Sequence, residues 1–357
     1  MRTLYVAAGG GGDAVGALLA RRALGDTDKR PPLVTTCAWE RLRIDPVPGP
    51  RARTDFTGLG FVDGEACEVL PSSNSVPSGR SVLPRLAETS GARIFLHDFE
   101  GGAEGLAGQL QRLSAALDVG NLVVVDVGGD IVARGREPGL LSPLADSLTL
   151  AAAMRTAIPT SVAVLGPGAD AELPQDDVLE LLEHVGANVV GSVTSADVRD
   201  LEPVLCWHPT EATAVVAAGA GGLRGSVALR RARTPVPVTH HTAEVRVTRG
   251  PSPESFPLTQ ALLGTASLSA AESLMRASAV NEIDFERDVA QGRGPSNGQG
   301  SLTDLIAQLR AAGATHITDR QLAEAVGLGR LVAAAGDSHP RWGGLWSLEE
   351  LAQLPRL

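Results

Sequence analysis

The sequence predicts an α/β protein: a three-layer sandwich on a mostly parallel, doubly wound sheet, with a C-terminal helical extension. Two observations predict it. Short apolar runs without alternation, such as Val123, Val124 and Val125, read as strands buried on both faces, as in a parallel sheet. These runs alternate with helical patterns from residue 3 to about residue 190, the order expected of repeated βαβ units.

The elements follow in order. Leu4–Ala8 is an apolar strand, Gly9–Gly12 breaks it, and Ala14, Leu18, Leu19 and Ala23 recur at helical spacing. LVTTCAW (33–39) is a second strand. Residues 45–80 are rich in Pro, Gly and Ser and are expected to form a long irregular segment of functional weight. ARIFLHD (92–98) is a third strand, followed by a helix from about Ala103 to Leu117. After the strand at 121–127, SPLADSLTLAAAMRTA (142–157) is a helix with Ser142 as N-cap and Pro143 at its first position.

TSVAVLGPGADAEL (160–173) repeats the strand and glycine-loop design, and DDVLELLEHVG is the helix after it. Beyond His208, PTEATAVVAAGAGGL reads as a small-residue helix and HHTAEVRVT (240–248) alternates like an edge strand. SLSAAESLMRAS is helical, QGRGPSNGQG (291–300) is a loop, and 301–335 reads as helix, GATHIT connector and helix. No clean linker interrupts the chain, so residues 1–330 are expected to form one domain and 331–357 an extension.

Composition excludes several classes. A net charge of −10 and an isoelectric point near 5.2 argue against nucleic acid as a partner, since a polyphosphate backbone needs a basic face. No apolar run is long enough to span a bilayer, and MRTLYVAAGG has no signal-peptide pattern, so no membrane partner and a cytoplasmic location are expected. Cys37, Cys67 and Cys206 lack CxxC spacing and read as buried thiols. No GxSxG, GxxxxGK[ST] or HExxH motif occurs.

The chemistry-bearing signal is a design repeated at three strand ends. AAGGGGDA (7–14), VDVGGDIV (125–132) and VLGPGADAEL (164–173) each place glycines and then an aspartate after an apolar strand. Ligands of open α/β sheets bind beyond the carboxyl ends of the strands. Glycines let backbone N–H groups approach an anion, and helix N-termini favour it. Aspartates in the same rim would repel a bare phosphate, so the combination calls for a divalent cation or ligand hydroxyls. Gly10, Gly11, Gly12, Asp13, Asp126, Gly128, Gly129, Gly168 and Asp170 are therefore candidate ligand-binding residues, with Asp126 and Asp130 as Mg²⁺ ligands. The competing reading is that each aspartate caps its own helix.

Other groups are weaker signals. Gly9–Ala14 also fits the G-x-G-x-x-A dinucleotide fingerprint, but Glu40 falls too far along to be its acid, and NAD is not expected. Glu211, beside His208 in CWHPTEAT, suits a general acid or base, or the start of a helix. His97, Asp98 and Glu100 end a strand towards the same rim. His240 and His241 alternate across a strand, so at most one is expected to face a site. Arg134 and Arg136 suit either a ligand phosphate or solvent.

Five stretches together, GGGGDA, GRSVLPRLAE (79–88), DVGGDIVARGREPGLLSPLADSLTLAAA (126–153), GPGADAEL (166–173) and HPTEAT (208–213), resemble DUF1152, a domain-of-unknown-function family of archaeal and actinobacterial proteins, over roughly residues 1–330. The resemblance implies a cytoplasmic α/β protein and no particular reaction. Within its most specific block, Glu137, Ser142 and Asp146 join Asp126 and Asp130 as polar candidates.

The expectation is an enzyme, of hydrolase or transferase type, acting on a small phosphorylated or polyhydroxylated metabolite such as a sugar phosphate, nucleoside or nucleotide. Asp130, Glu211 and His208 are its candidate catalytic residues. A nucleotide-sensing or partner-binding protein and a dinucleotide-dependent oxidoreductase are the alternatives. Homo-oligomers are common among such folds, a base rate rather than a reading of these residues.

Overall fold

The computed structural model describes residues 1–42, 44–76, 80–230, 232, 234–293, 301–326 and 344–353. Gly79, most of the loop expected at 291–300, residues 327–335 of the final helix and most of the extension 331–357 lie outside the described residues.

The strands in chain order are β1 (Arg2–Ala7), β2 (Leu33–Thr36), β3 (Phe56–Thr57), β4 (Gly60–Val62), β5 (Glu65–Val69), β6 (Asn74–Ser75), β7 (Arg93–Leu96) and β8 (Val119–Val127). They continue with β9 (Thr160–Leu165), β10 (Asn188–Ser192), β11 (Gly225–Ala228), β12 (Val236–Val238), β13 (Glu244–Arg249), β14 (His316–Thr318) and β15 (Leu345–Ser347). Nine form the main sheet, in the order β10-β13-β9-β8-β1-β2-β7-β5-β4. The central five, β9-β8-β1-β2-β7, are parallel.

In chain order these five strands read 3-2-1-4-5 from β7 to β9. The order reverses between β1 and β8, and a doubly wound sheet opens its ligand crevice at that reversal.

Alternate residues of each strand feed two cores, which makes the three layers. Tyr5, Ala7, Val123, Val125 and Val127 pack with α1 (Gly11–Ala23) and α2 (Leu83–Thr89). Leu4, Val6, Ala8, Leu122 and Val124 pack on the other face with α3 (Gly102–Ala116), α4 (Pro143–Arg155) and α5 (Gln175–His184). With both faces buried, the strands carry no polar alternation, which is why they read as continuous apolar runs.

Several expectations are corrected. The segment at 45–80 is not irregular throughout: β4 and β5 form a hairpin on the sheet edge around Asp63-Gly64, both at positive φ, as a two-residue Asp-Gly turn requires. His240 and His241 do not lie in a strand. They sit on the turn before β13 with their rings 3.7 Å apart, so both point to one side. Cys206 is exposed, whereas Cys37 and Cys67 are buried.

β15 pairs with β14, and Trp346, Leu348 and Leu351 share one small core with Leu302, Ile306, Ile317 and Leu322. This C-terminal module completes a second sheet, β12-β11-β14-β15, whose first two strands come from residues 225–238.

Candidate functional site: an acidic cavity at the strand switch point

A cavity of about 240 Å³ opens beyond the carboxyl ends of β1, β2, β8 and β9. β1 runs into Gly9–Gly12, which lines it, and Gly11 and Gly12 begin α1, where N–H groups have no intrahelical acceptor. The HPTE loop closes over them: a Cβ on Gly11 would lie 3.4 Å from His208 Nε2, and one on Gly12 3.0 Å from Thr210 Oγ1. Asp13, in the first turn of α1, folds back to accept the Gly9 N–H at 2.6 Å.

Asp126 is the penultimate residue of β8, and strand alternation turns it to the α4 side of the sheet, where Asp146 faces it from the first turns of that helix. Carboxylate oxygens of Asp13, Asp126 and Asp146 lie within 4.8 Å of one another. Asp126 Oδ2 and Asp146 Oδ1 are buried without a hydrogen-bond partner. Asp130, expected as the partner of Asp126 in holding a metal, is outside this triad but lines the same cavity, as do Asp170 and Glu172.

This crowding dominates the electrostatics. Burial, reinforced by the neighbouring carboxylates, holds Asp126, Asp130, Asp146 and Asp170 well above the usual carboxylate range. Burial pushes Asp13 and Glu282 up to about 7. His208, buried against the glycine loop, is lowered to about 3 by burial and by the Arg320 charge, so its ring is neutral at neutral pH.

Helix α4 shows how distant residues build the site. Ser142 stands at the N-cap position with Pro143 after it, as expected, but makes no side-chain cap bond: its hydroxyl donates to Glu172, whose carboxylate also accepts the N–H groups of Leu141 at 2.6 Å and Ser142 at 2.9 Å. Glu282 accepts the Leu144 N–H at 3.1 Å. Two acids from other parts of the chain thus satisfy the start of α4 and hold Asp146 in place.

Backbone strain marks the same place. Among the described residues four non-glycine positions have positive φ. Two are aspartates in turns, Asp63 and Asp118; the others, Arg41 and Ala171, flank the cavity at φ of 60° and 67°.

Other candidates fall elsewhere. Glu137 accepts the N–H groups of Arg134, Gly135 and Arg136 at 2.6, 2.8 and 2.9 Å, closing its own turn; neither it nor the two exposed arginines line the cavity. Gly128, Gly129 and Gly168 do not line it either. They let chains cross: Gly128 has φ of 126°, and a Cβ there would lie 2.1 Å from Asp170 Oδ2.

Glu211 is at the cavity, but its carboxylate accepts the Arg230 N–H at 3.0 Å and the Thr318 hydroxyl. Glu40 accepts from Ser81 at 2.7 Å and from the Val82 N–H at 3.0 Å, so the acid nearest to a dinucleotide fingerprint serves α2. His97 contacts Thr35 at 3.1 Å and Asp98 pairs with Arg53 at 3.1 Å, both away from the cavity; Glu100 is exposed.

Sequence reasoning missed Arg41, Glu172, Glu282, Glu286 and Arg320, all at the cavity. Glu282 and Glu286 do carry a signal, an i, i+4 acidic pair on one helix face. Asp284 and Asp288 on the same helix carry it equally and sit outside the site.

Fold and site together define a doubly wound α/β protein with an acidic cavity at the sheet's switch point. Residues 4–290 match the model of a family described as "Protein of unknown function (DUF1152)", and the chain belongs to that family. No curated protein and no solved structure matches the chain. No helix among the described residues is long and apolar enough to cross a membrane.

Proposed function

We propose that the protein is a cytoplasmic, divalent-cation-dependent enzyme acting on a small phosphorylated or polyhydroxylated metabolite of the sugar phosphate, nucleoside or nucleotide class, by hydrolysis or group transfer. The observation that carries this reading is the triad Asp13, Asp126 and Asp146, whose oxygens converge within 4.8 Å while Asp126 Oδ2 and Asp146 Oδ1 lack hydrogen-bond partners. Buried carboxylates without partners are costly, and a hard cation that takes oxygen ligands relieves that cost.

Mg²⁺ suits the set because it keeps several waters and can take its remaining ligands from a substrate's phosphate or hydroxyl oxygens. The N–H groups of Gly11 and Gly12 supply dipoles for an anion, and Asp130, Asp170 and Glu172 supply acceptors for hydroxyls. With Glu211 committed to Arg230 and Thr318, we assign proton transfer to Glu282, whose Oε1 is buried without a hydrogen-bond partner.

The test is thermal melting of the full chain against Mg²⁺ alone and against nucleotides, nucleosides and sugar phosphates with Mg²⁺, repeated on Asp126→Asn. A ligand at about 100 times its Kd adds about 2.7 kcal/mol of stability. A Mg²⁺-dependent shift lost in Asp126→Asn is expected. The absence of any shift with Mg²⁺ in the wild type rejects the reading.

A further inference from the structure

We infer that His240, His241 and Glu244 form a second cation site, separate from the acidic cavity, that takes a divalent transition metal such as Zn²⁺ through two imidazole nitrogens and one carboxylate oxygen. The inference does not depend on the reading above.

A short turn brings the three side chains together. Residues 239–243 link β12 of the second sheet to β13 of the main sheet. His240 has φ of −68° and ψ of −27°, a helical conformation, so its ring and that of His241 are not sent to opposite faces as they would be in a strand. Their centroids lie 3.7 Å apart. His241–Ala243 continues as a single 3₁₀ turn, in which residues three apart eclipse, and this sets Glu244 over His241. Glu244 Oε1 stands 3.0 Å from His241 Nδ1. One nitrogen from each ring and one Glu244 oxygen lie within 4.8 Å of one another, a span that side-chain rotation closes around an ion with ligands at about 2 Å. Among the described residues two groups converge so closely, this one and the cavity triad.

Two further observations point to a ligand. His241 Nδ1 is buried and makes no hydrogen bond, because its approach to Glu244 Oε1 lacks the alignment of one. A ring nitrogen left in this way carries a desolvation cost that a metal bond would remove. Arg246 holds the other oxygen of Glu244: its Nε and Nη2 donate to Oε2 at 3.1 and 2.9 Å. Oε1 is thus left to the imidazoles, and the guanidinium orients the carboxylate as outer-shell partners of metal ligands do.

The backbone of the turn is braced from both sides. Ala243 O accepts the Val193 N–H at 2.8 Å and Glu244 O the Gly166 N–H at 3.0 Å. The His241 N–H donates to Thr239 Oγ1 at 3.1 Å, and the Thr239 hydroxyl donates to Gln175 Oε1 at 2.7 Å. Ligands on a fixed backbone give up little freedom on binding.

The donor set decides the metal. Imidazole nitrogens favour Zn²⁺ and its transition-metal neighbours, whereas the all-oxygen triad of the cavity favours Mg²⁺. Two histidines and one glutamate leave the fourth tetrahedral position to water or a substrate oxygen, and the exposure of His240 gives solvent access to the site.

The experiment is calorimetric titration of the full chain, treated with EDTA and dialysed, with Zn²⁺ in saturating Mg²⁺. It compares wild type, His240→Ala, Glu244→Gln and Asp126→Asn, with melting temperatures in EDTA alongside. Wild type is expected to bind one Zn²⁺ at this site. His240→Ala, at an exposed position, should keep the wild-type melting temperature and weaken that binding about tenfold or more, as should Glu244→Gln, while Asp126→Asn leaves it unchanged. Co²⁺ in place of Zn²⁺ should give the strong visible absorption of a four-coordinate site in wild type and lose it in His240→Ala. Absence of Zn²⁺ binding in wild type, or equal affinity in wild type and His240→Ala, overturns the inference. Zn²⁺ binding lost in Asp126→Asn alone assigns the ion to the cavity and overturns it too. The Mg²⁺ reading fails separately, on the melting shift with Mg²⁺ alone.

Discussion

The Thr318 hydroxyl donates a hydrogen bond to the carboxylate of Glu211, 107 residues earlier in the chain, and so ties the C-terminal module to the rim of the acidic cavity. Glu211 also accepts the Arg230 N–H at 3.0 Å, so one carboxylate joins the loop before the helix Ala212–Ala220, the exit of β11 and the exit of β14. A hydrogen bond to a charged group contributes about 1.5–3 kcal/mol. Thr318 is 2% exposed, so the bond is shielded from bulk solvent. Thr318→Val is expected to destabilise the protein by that amount in urea denaturation followed by tryptophan fluorescence, with Trp346 reporting on the module.

The acidic cluster trades stability for a site. Asp126 is 1% exposed and faces Asp13, Asp146 and Asp170 with one oxygen unpartnered. Asp126→Asn removes the ionisable group, and with it the cost of burying it among other acids, at nearly constant shape. In EDTA the variant should melt at or above the wild-type temperature, and Mg²⁺ should no longer raise it. Calorimetric melts with and without Mg²⁺ check both halves; a variant that melts lower in EDTA would make Asp126 a structural acid.

Stability of the metal-free protein should fall as pH rises. Burial raises Asp13, Glu40 and Glu282 to about 7 in the folded state, from about 3.9 for Asp and 4.3 for Glu in the unfolded chain. Between those values the folded state binds more protons than the unfolded one, so the contribution is fully present below about pH 4 and is lost as pH passes through about 7. The melting temperature in EDTA should therefore decline from pH 5 to 8. Saturating Mg²⁺ should flatten that decline, because the cation replaces protons. Mg²⁺ binding should release protons, read as a dependence of the binding enthalpy on the buffer's ionisation enthalpy.

His208 should not be the titrating group behind any activity change near pH 6.5. Its ring is buried beside the glycine loop and lowered to about 3, so it stays neutral from pH 5 upward. Imidazole NMR shifts of His208 are expected to stay flat over that range. An inflection in the pH–rate profile should survive His208→Gln and move in Glu282→Gln.

Gly128 lies outside the cavity lining and leaves the space that the Asp170 carboxylate occupies. Its φ of 126° disfavours any L side chain, and a Cβ would overlap Asp170 Oδ2 at 2.1 Å. Gly128→Ala should cost about 1–3 kcal/mol from backbone strain, and should weaken substrate binding because Asp170 must move. Loss of stability with unchanged binding in calorimetric titration would restrict Gly128 to a packing role.

Much of the fold was legible locally. The strands expected at 4–8, 33–39, 92–98, 121–127 and at the start of 160–173 appear as β1, β2, β7, β8 and β9, with ends shifted by up to three residues, because burial on both faces leaves an unbroken apolar run in each. The glycines after β1, β8 and β9 likewise mark chain turns at strand ends. The edge hairpin β4–β5 was harder to read. Its strands are only three and five residues long and half exposed, so neither period nor apolarity marks them.

The sequence by itself determined that acids stand at the carboxyl ends of buried parallel strands, since that depends only on neighbours along the chain. Tertiary structure alone decided which acids meet. Asp126 is joined by Asp13 and Asp146 rather than Asp130, because the alternation of β8 and the entry of α4 set the directions of these side chains. Glu172 and Glu282 come to α4 across 30 and 138 residues, and Arg320 comes to the cavity because β14 pairs with β11. Such meetings are set by the crossovers of the sheet and by sharing of orphan helix-end groups. Neither leaves a periodic trace in the order of residues.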